Sequence, residues 1–480
     1  MSDDGKLEVS ADSSEAQSLT SQRINRRRFA QGAAGLGFSA VTVPSFASRA
    51  YAQEEDEPEV TPQPTIAPAE GAVQLQYWDM QWGEASFMSA LQNNVTEFNR
   101  THPDIHVTFT ELSWADYMQK LLSAIQAGNP PDISGGDSGI AFNMAAQGQA
   151  LDISDLYAEW EADGTLEDMT EWAYKKWDWN GTHPGVTWQF DSRVIFYRKD
   201  LFEQAGIEPP TTWEEWMAAA QALHNPDAGI AGMALPGKQG SYDTDQFWMT
   251  LVLQAGGGIA DEEGNLTINS PENLQALQFE KALVDCCTAR GTPSWSFAEV
   301  QRAYEQGQAA MAFGHGGMIQ ELQNNAPEIF ENTGVLPPLI GPGGPEAQRI
   351  VSFANPWMIY SATEHPEEAK VFLRWMMQPE NLAKLYESQP GNKWPVYRSL
   401  VDSPVYQENE LLAELARQTV ENGVDYWYPN NAAAVGIGSM GTSLTDLIVN
   451  PVVSGNRSPE DALADAQAQL EPLFQQAPGS

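Results

Sequence analysis

The sequence predicts an α/β fold, and three features carry that reading. Val73-Gln-Leu-Gln-Tyr77 and His106-Val-Thr-Phe-Thr110 alternate in polarity like half-buried strands. Between them, Glu84 to Asn99 repeats apolar residues at helical spacing, with Phe87, Leu91, Val95 and Phe98 on one face. Strands that alternate with helices in this way build βαβ units. Open sheets of this class hold ligands beyond the carboxyl ends of their strands. That rule singles out Asp79, Gln81 and Trp82 after the first strand, and Asp137 and Ser138 after the third.

The elements follow in order. A helix is expected from Trp114 to Gln126, stopped by Gly128 and Pro130-Pro131. Asp132-Ile-Ser leads through Gly135-Gly136 to Asp137-Ser138, and a helix carries Ala141 to Ala146. Gly185 to Tyr197 is a long extended run that passes from one domain into the next. A short helix then ends at Gly206. Thr212 opens the next helix, with Glu215 at the capping-box spacing.

The first 52 residues read as an address. Asn25-Arg26-Arg27-Arg28-Phe29 precedes a mildly apolar run from Ala30 to Ala47, and Ala50-Tyr51-Ala52 offers small residues for cleavage before Gln53. This resembles a twin-arginine export signal, which places the mature protein outside the cytoplasm. No cysteine follows the run to carry a lipid anchor. Residues 53–71 are acidic and proline-rich and read as an extended linker. The chain has 25 Lys+Arg against 65 Asp+Glu, a net charge of −40. Such a surface does not suit nucleic-acid phosphates or anionic lipid. Its acidity would also suit a saline habitat.

The run Trp188-Gln189-Phe190-Asp191-Ser192-Arg193 into Arg198-Lys199-Asp200-Leu201 and Pro209-Pro210-Thr211-Thr212-Trp213 resembles the hinge segment of family 1 extracellular solute-binding proteins. These are the sugar-binding subunits of ABC importers. Further motifs agree in the same order. They are Ala124 to Asp132, Ala303 with Gly307 to Met311, Pro366 to Leu373, and Ser458 to Leu463. The resemblance covers roughly residues 73 to 475. It implies two α/β lobes joined by crossing strands, with the ligand in the cleft between them. The N-terminal lobe would be residues 73–189 and 351–392, and the C-terminal lobe 190–350 and 393–480. It also implies a small-molecule carbohydrate as ligand and the membrane permease of an importer as partner. The importer's ATPase would be reached only indirectly. No cofactor, metal or nucleic acid is expected, and the protein should be a monomer and not an enzyme.

A sugar pocket needs carboxylates or amides for hydroxyl pairs and aromatic planes for the C–H face. Micromolar binding corresponds to about −8 kcal/mol. A neutral hydrogen bond contributes about 0.5–1.5 kcal/mol, so several contacts are needed from each lobe. The resemblance places Asp79, Gln81, Trp82, Asp137, Ser138 and Asp191 among these contacts, and Asp245 and Gln246 across the cleft. Asp137 and Ser138 also suit helix capping, and Asp191 also suits pairing with Arg193. Where many sugar binders carry Gly-x-Trp, this chain reads Gly314-His315-Gly316. His315, or an aromatic such as Trp357, Trp295 or Trp427, would then take the missing ring's place.

Other motifs are weaker. Gly136-Asp137-Ser138-Gly139 echoes a serine-protease nucleophile but leads into a helix. Gly436 to Gly441 fits a dinucleotide fingerprint with no clear strand before it. His102 and His106 straddle Pro103, which spoils a helical metal pair. Cys286-Cys287 is expected as two packed thiols, because bridging neighbours is strained. The alternatives are the same fold binding a polyol, amino sugar or polyamine, and, from another class, a secreted glycoside hydrolase. The last needs two carboxylates at a set separation, and no catalytic motif marks such a pair.

Overall fold

The computed structural model describes residues 66–475, apart from 114–116, 242, 432, 434 and 436–443. The export signal expected over 1–52, most of the linker, Trp114, Tyr242 and the Gly436–Gly441 fingerprint lie outside the described residues. No helix among the described residues is long and apolar enough to cross a membrane.

The first half alternates as the sequence predicts: β1 (Val73–Met80), α1 (Ala85–Thr101), β2 (Ile105–Leu112), α2 (Tyr117–Gln126), β3 (Ile133–Gly135) and α3 (Ser138–Ala146). α1 turns its apolar stripe inward, burying Phe87, Leu91, Val95 and Phe98. α3 begins at Ser138 and not at Ala141, because the Asp137 carboxylate caps it by accepting from Ile140 N at 3.0 Å. Strand β4 (Val186–Arg198) spans 13 residues and is buried on both faces over most of its length, with the polar Thr187, Gln189, Ser192 and Arg193 among its buried residues. The helix Lys199–Ala205 ends at Gly206, whose φ of 67° is the left-handed conformation that a helix stop uses. Thr212 and Glu215 close the expected capping box.

β5 (Met311–His315), β6 (Thr333–Val335), β7 (Ile350–Ile359) and β8 (Gly423–Val424) complete the sheet, which runs β2-β1-β3-β7-β4-β5. β1 pairs in parallel with β2 and β3, while β7 runs antiparallel to β3 and β4. β4 changes partners part-way along. Val186 to Ser192 pairs with β7, and Arg193 to Arg198 pairs with β5 and β6. The change falls between Ser192 and Arg193, next to Asp191.

Two hydrophobic cores flank this crossing. One gathers Leu75, Phe87, Phe142, Trp177, Trp188 and Trp357, together with Trp394 to Ala416. The other gathers Trp216, Phe247, Trp248, Leu283, Phe313 and Leu463. One expectation changes. Cys286 and Cys287 are joined in a disulfide at the end of the helix Pro271–Cys287, so they are not free thiols. His102 stacks on Phe98 at 4.2 Å at the end of α1, while His106 lies in β2. Among the described residues no group of three or more His, Cys, Asp or Glu is placed to hold a metal ion.

The second core also holds an uncompensated acid. Glu280 is fully buried and neither carboxyl oxygen has a hydrogen-bond partner among the described residues. Burial, with some repulsion from Asp245, pushes its pKa well above the ordinary value of 4.5. The folded state therefore holds a proton that the unfolded state releases, and stability falls as pH rises above about 4.5. Glu280→Leu should raise stability at pH 7.5 by about 1–3 kcal/mol and flatten that slope. Urea denaturation between pH 5 and 8 measures both effects.

Candidate functional site

A cavity of about 450 Å³ opens over the crossing. Its lining comes from several elements: Trp82 after β1, Tyr117 at the start of α2, Asp137 before α3, Asp191 and Arg193 on β4, Phe353 and Asn355 on β7, Asp243 and Gln246 at the helix Thr244–Gln254, and Lys393. Strand register assembles the floor, because Asp191 lies opposite Phe353 and Gln189 opposite Asn355.

Three charges meet on that floor. Arg193 Nη1 donates to Asp191 Oδ1 at 2.5 Å, and Lys393 Nζ donates to Asp191 Oδ2 at 3.0 Å. Burial would raise the Asp191 carboxyl, but Arg193 and Lys393 outweigh it and hold the group well below the usual carboxylate range. Arg193 Nε donates to Gln246 Oε1 at 2.5 Å, which ties β4 to the far wall. Gln246 Nε2 is buried without a hydrogen-bond partner among the described residues, so the wall keeps a spare donor. Arg193 also lies 5.0 Å from the Phe353 ring centre.

The near wall is aromatic and acidic. Trp82 sits edge-on to Trp188 at 5.7 Å, and the Lys393 ammonium lies 5.6 Å from the Trp82 ring centre. Asp137 accepts from Tyr117 Oη at 2.6 Å while it caps α3. Burial raises its pKa and these hydrogen bonds oppose the shift. Capping and cavity lining thus coexist in one carboxylate.

Of the ten expected contacts, Trp82, Asp137, Asp191 and Gln246 line the cavity. Gln81 is exposed, with its backbone N–H bonded to Leu112 O at 3.0 Å. Of the other five, Asp79, Ser138, Asp245 and Trp357 are buried behind the surface and His315 is half-buried. Asp79 accepts from the Trp82 and Trp357 indoles, and burial pushes its pKa up to about 6 against those bonds. Ser138 donates to Asp425, which also pairs with Lys176. Asp245 accepts from Tyr426 Oη at 3.1 Å, and burial raises its pKa to about 7. His315 stacks on Phe297 at 4.3 Å and accepts from Gly317 N at 3.0 Å; burial lowers its pKa to about 3, so the ring is neutral. Trp357 lies flat on Trp188 at 4.5 Å in the first core. These side chains are consumed by hydrogen bonds and ring packing that composition alone does not reveal.

Tyr117, Phe353 and Asn355 line the cavity without having been singled out. Tyr117 gives no local signal. Asn355 has one: an amide inside a fully buried ten-residue strand needs a polar neighbour. A larger space of about 690 Å³ lies between Thr170–Trp179 and Val420–Asn431, and none of the ten lines it.

Comparison with known proteins identifies the fold and the family. The family described as bacterial extracellular solute-binding protein matches residues 81–383. YcjN of Escherichia coli strain K12, named as an ABC-transporter periplasmic-binding protein, is 25% identical over 433 residues, covering 82% of this chain and 91% of that protein. A sugar transporter from Arthrobacter chlorophenolicus A6 with bound laminaribiose superposes with a TM-score of 0.71 at 21% identity, covering 83% of this chain and 99% of that one. A solute-binding protein from Agrobacterium radiobacter K84 in complex with ribitol gives 0.70 at 21% identity, covering 84% and 99%. The chain thus has the two-lobed fold of these structures, and it belongs to the bacterial extracellular solute-binding proteins.

Proposed function

We propose that this protein captures a neutral mono- or oligosaccharide outside the cytoplasm and delivers it to the permease of an ABC importer. One observation carries the reading. The cavity sits where β4 changes partners, and it offers the Trp82 ring on one wall and the Asp243 and Gln246 polar groups on the other. An indole face suits a sugar's C–H face, and amide or carboxylate edges suit its hydroxyls. The floor charges satisfy one another, so they can serve as hydrogen-bonding groups without requiring a charged ligand.

The relative bound to laminaribiose supports a saccharide, and the one bound to ribitol supports a polyol as the second reading. A polyamine draws less support, since Arg193 and Lys393 already neutralise Asp191. We take the lobes as residues 73–189 with 351–392 and 190–350 with 393–480, hinged at β4 and β7, with the segment Trp394 to Ala416 of the second packed into the first core. Contacts to both walls exist only when the walls approach, so ligand favours the closed form by their differential free energy. That form docks on the permease as a monomer, and no bond is broken. Residues 1–52 act as a twin-arginine export signal.

Calorimetry against laminaribiose, maltose, ribitol and a polyamine should give binding to a sugar or polyol with little dependence on salt; strong salt-sensitive binding of the polyamine alone would overturn the assignment. With the sugar that binds, Trp82→Ala should weaken affinity roughly tenfold or more, the contribution of one aromatic face with its buried area. Small-angle scattering should show compaction on adding that sugar. Replacing Arg26, Arg27 and Arg28 by lysine should leave the precursor inside the cell, read by fractionation.

A further inference from the structure

Asp79 is a heavily hydrogen-bonded carboxylate behind the cavity wall, and it does not line the cavity. Its Oδ1 accepts from Trp82 Nε1 at 2.6 Å and Met80 N at 2.8 Å. Its Oδ2 accepts from Trp357 Nε1 at 2.9 Å and from the Tyr77 hydroxyl. Four donors converge on two oxygens, and the group is fully buried. The site is built to admit it. Gly135 at the end of β3 has no side chain, and a Cβ there would overlap the Asp79 carboxyl. Tyr77 and Asp79 belong to β1, Trp357 to β7, and β3 runs between those strands.

The consequence concerns Trp82. An indole at a cavity wall can swing about its χ angles unless its edge is held. Here the N–H is bonded to Asp79, the ring edge meets Trp188, and Trp188 lies parallel to Trp357, whose own N–H is bonded to the same carboxylate. Lys393 covers the Trp82 ring at 5.6 Å. Both ends of the three-ring stack therefore terminate on one acid.

We propose that Asp79 is a positioning residue for ligand binding, its carboxylate fixing the Trp82 indole, through Nε1, in the orientation that presents the ring to the cavity. This rests on the reading of that cavity as the ligand site. The groups facing the carboxyl are Tyr77 and the Met80 backbone from its own strand and its end, Trp82 beyond that strand, and Trp357 from β7; Tyr77, the one titratable group among them, has its pKa raised well above 10.0 by burial. Glu111 of β2 stands opposite Asp79 in the strand register and is exposed, and Lys393, paired with Asp191, lies beyond the Trp82 ring. Protonation of Asp79 replaces a charge-assisted acceptor by a weaker neutral one. The hold on the ring therefore loosens as pH falls through about 6.

Two measurements test this. The first needs no ligand. In a ¹⁵N spectrum, the Trp82 indole N–H, identified by its loss in Trp82→Phe, should shift with a midpoint near pH 6 and stay fixed in Asp79→Asn. A signal that does not titrate in the parent protein overturns the proposal. The second is a double-mutant cycle by calorimetry at pH 7.5, with laminaribiose, maltose and ribitol as probes. Asp79→Asn and Trp82→Phe should each weaken binding roughly tenfold, the weight of one hydrogen bond to a charged group. The double variant should be no weaker than the worse single one. Multiplying effects, or parent-like binding by Asp79→Asn, would overturn it. If no probe binds the parent protein, the saccharide reading fails, while the indole titration still decides whether Asp79 holds the ring.

Discussion

Three charges withdrawn from water at one point organise the centre of this molecule. Asp191, Arg193 and Lys393 are each less than one-fifth exposed, and removing one partner from such a group leaves an uncompensated buried charge at a cost of several kcal/mol. The three must therefore stay together. Asp191 and Arg193 flank the residue at which β4 leaves β7 for β5 and β6, so their pairing is made at the crossing itself. Arg193 reaches Gln246 on one side of the cavity, and Lys393 reaches over Trp82 on the other. The charge cluster thus connects both walls to the strand between them.

The same cluster shapes what the cavity can recognise. A carboxylate satisfied by two cations does not select a third cation, and each cation is already partly neutralised by it. Recognition then falls on geometry: an indole face, amides, and hydroxyl or carboxylate edges at fixed separations. A solute-binding protein uses such groups reversibly, and their usefulness depends on preorganisation, because every side chain ordered on binding subtracts from affinity. The buried residues behind the cavity serve that end. Trp188, Trp357 and Asp79 do not line the cavity, yet Trp188 and Asp79 contact Trp82 directly and Trp357 packs on Trp188.

Residues near the cleft divide by whether their polar atoms are already used. Ser138 and His315 satisfy hydrogen bonds within the protein. Asp137 serves two roles because a carboxylate has two oxygens: Oδ1 caps α3 and Oδ2 accepts from Tyr117. Asp245 Oδ1 and both Glu280 oxygens, buried under the second wall without a partner among the described residues, mark the opposite case, in which a carboxyl avoids the cost of burial by keeping its proton.

Much of the architecture is legible in the chain alone. The period-2 and helical stretches of residues 73–146, the long extended run ending at Arg198, the stop at Gly206 and the Thr212–Glu215 cap all appear where local patterning places them, because each depends on neighbours within a turn or two. The positions of Asp191 and Gln246 at the cavity followed from collinear motifs. What local pattern does not contain is which side chains face the same space. Phe353 and Asn355 enter the site through strand register with β4, and Tyr117 through the packing of α2 against the Asp137 turn. Asp79, Asp245 and Trp357 are withdrawn from it by partners 278, 181 and 278 residues away. A sequence specifies a residue's chemistry and its local conformation; whether that chemistry remains available to a ligand is decided by distant groups that compete for the same hydrogen bonds, and only folding brings them together.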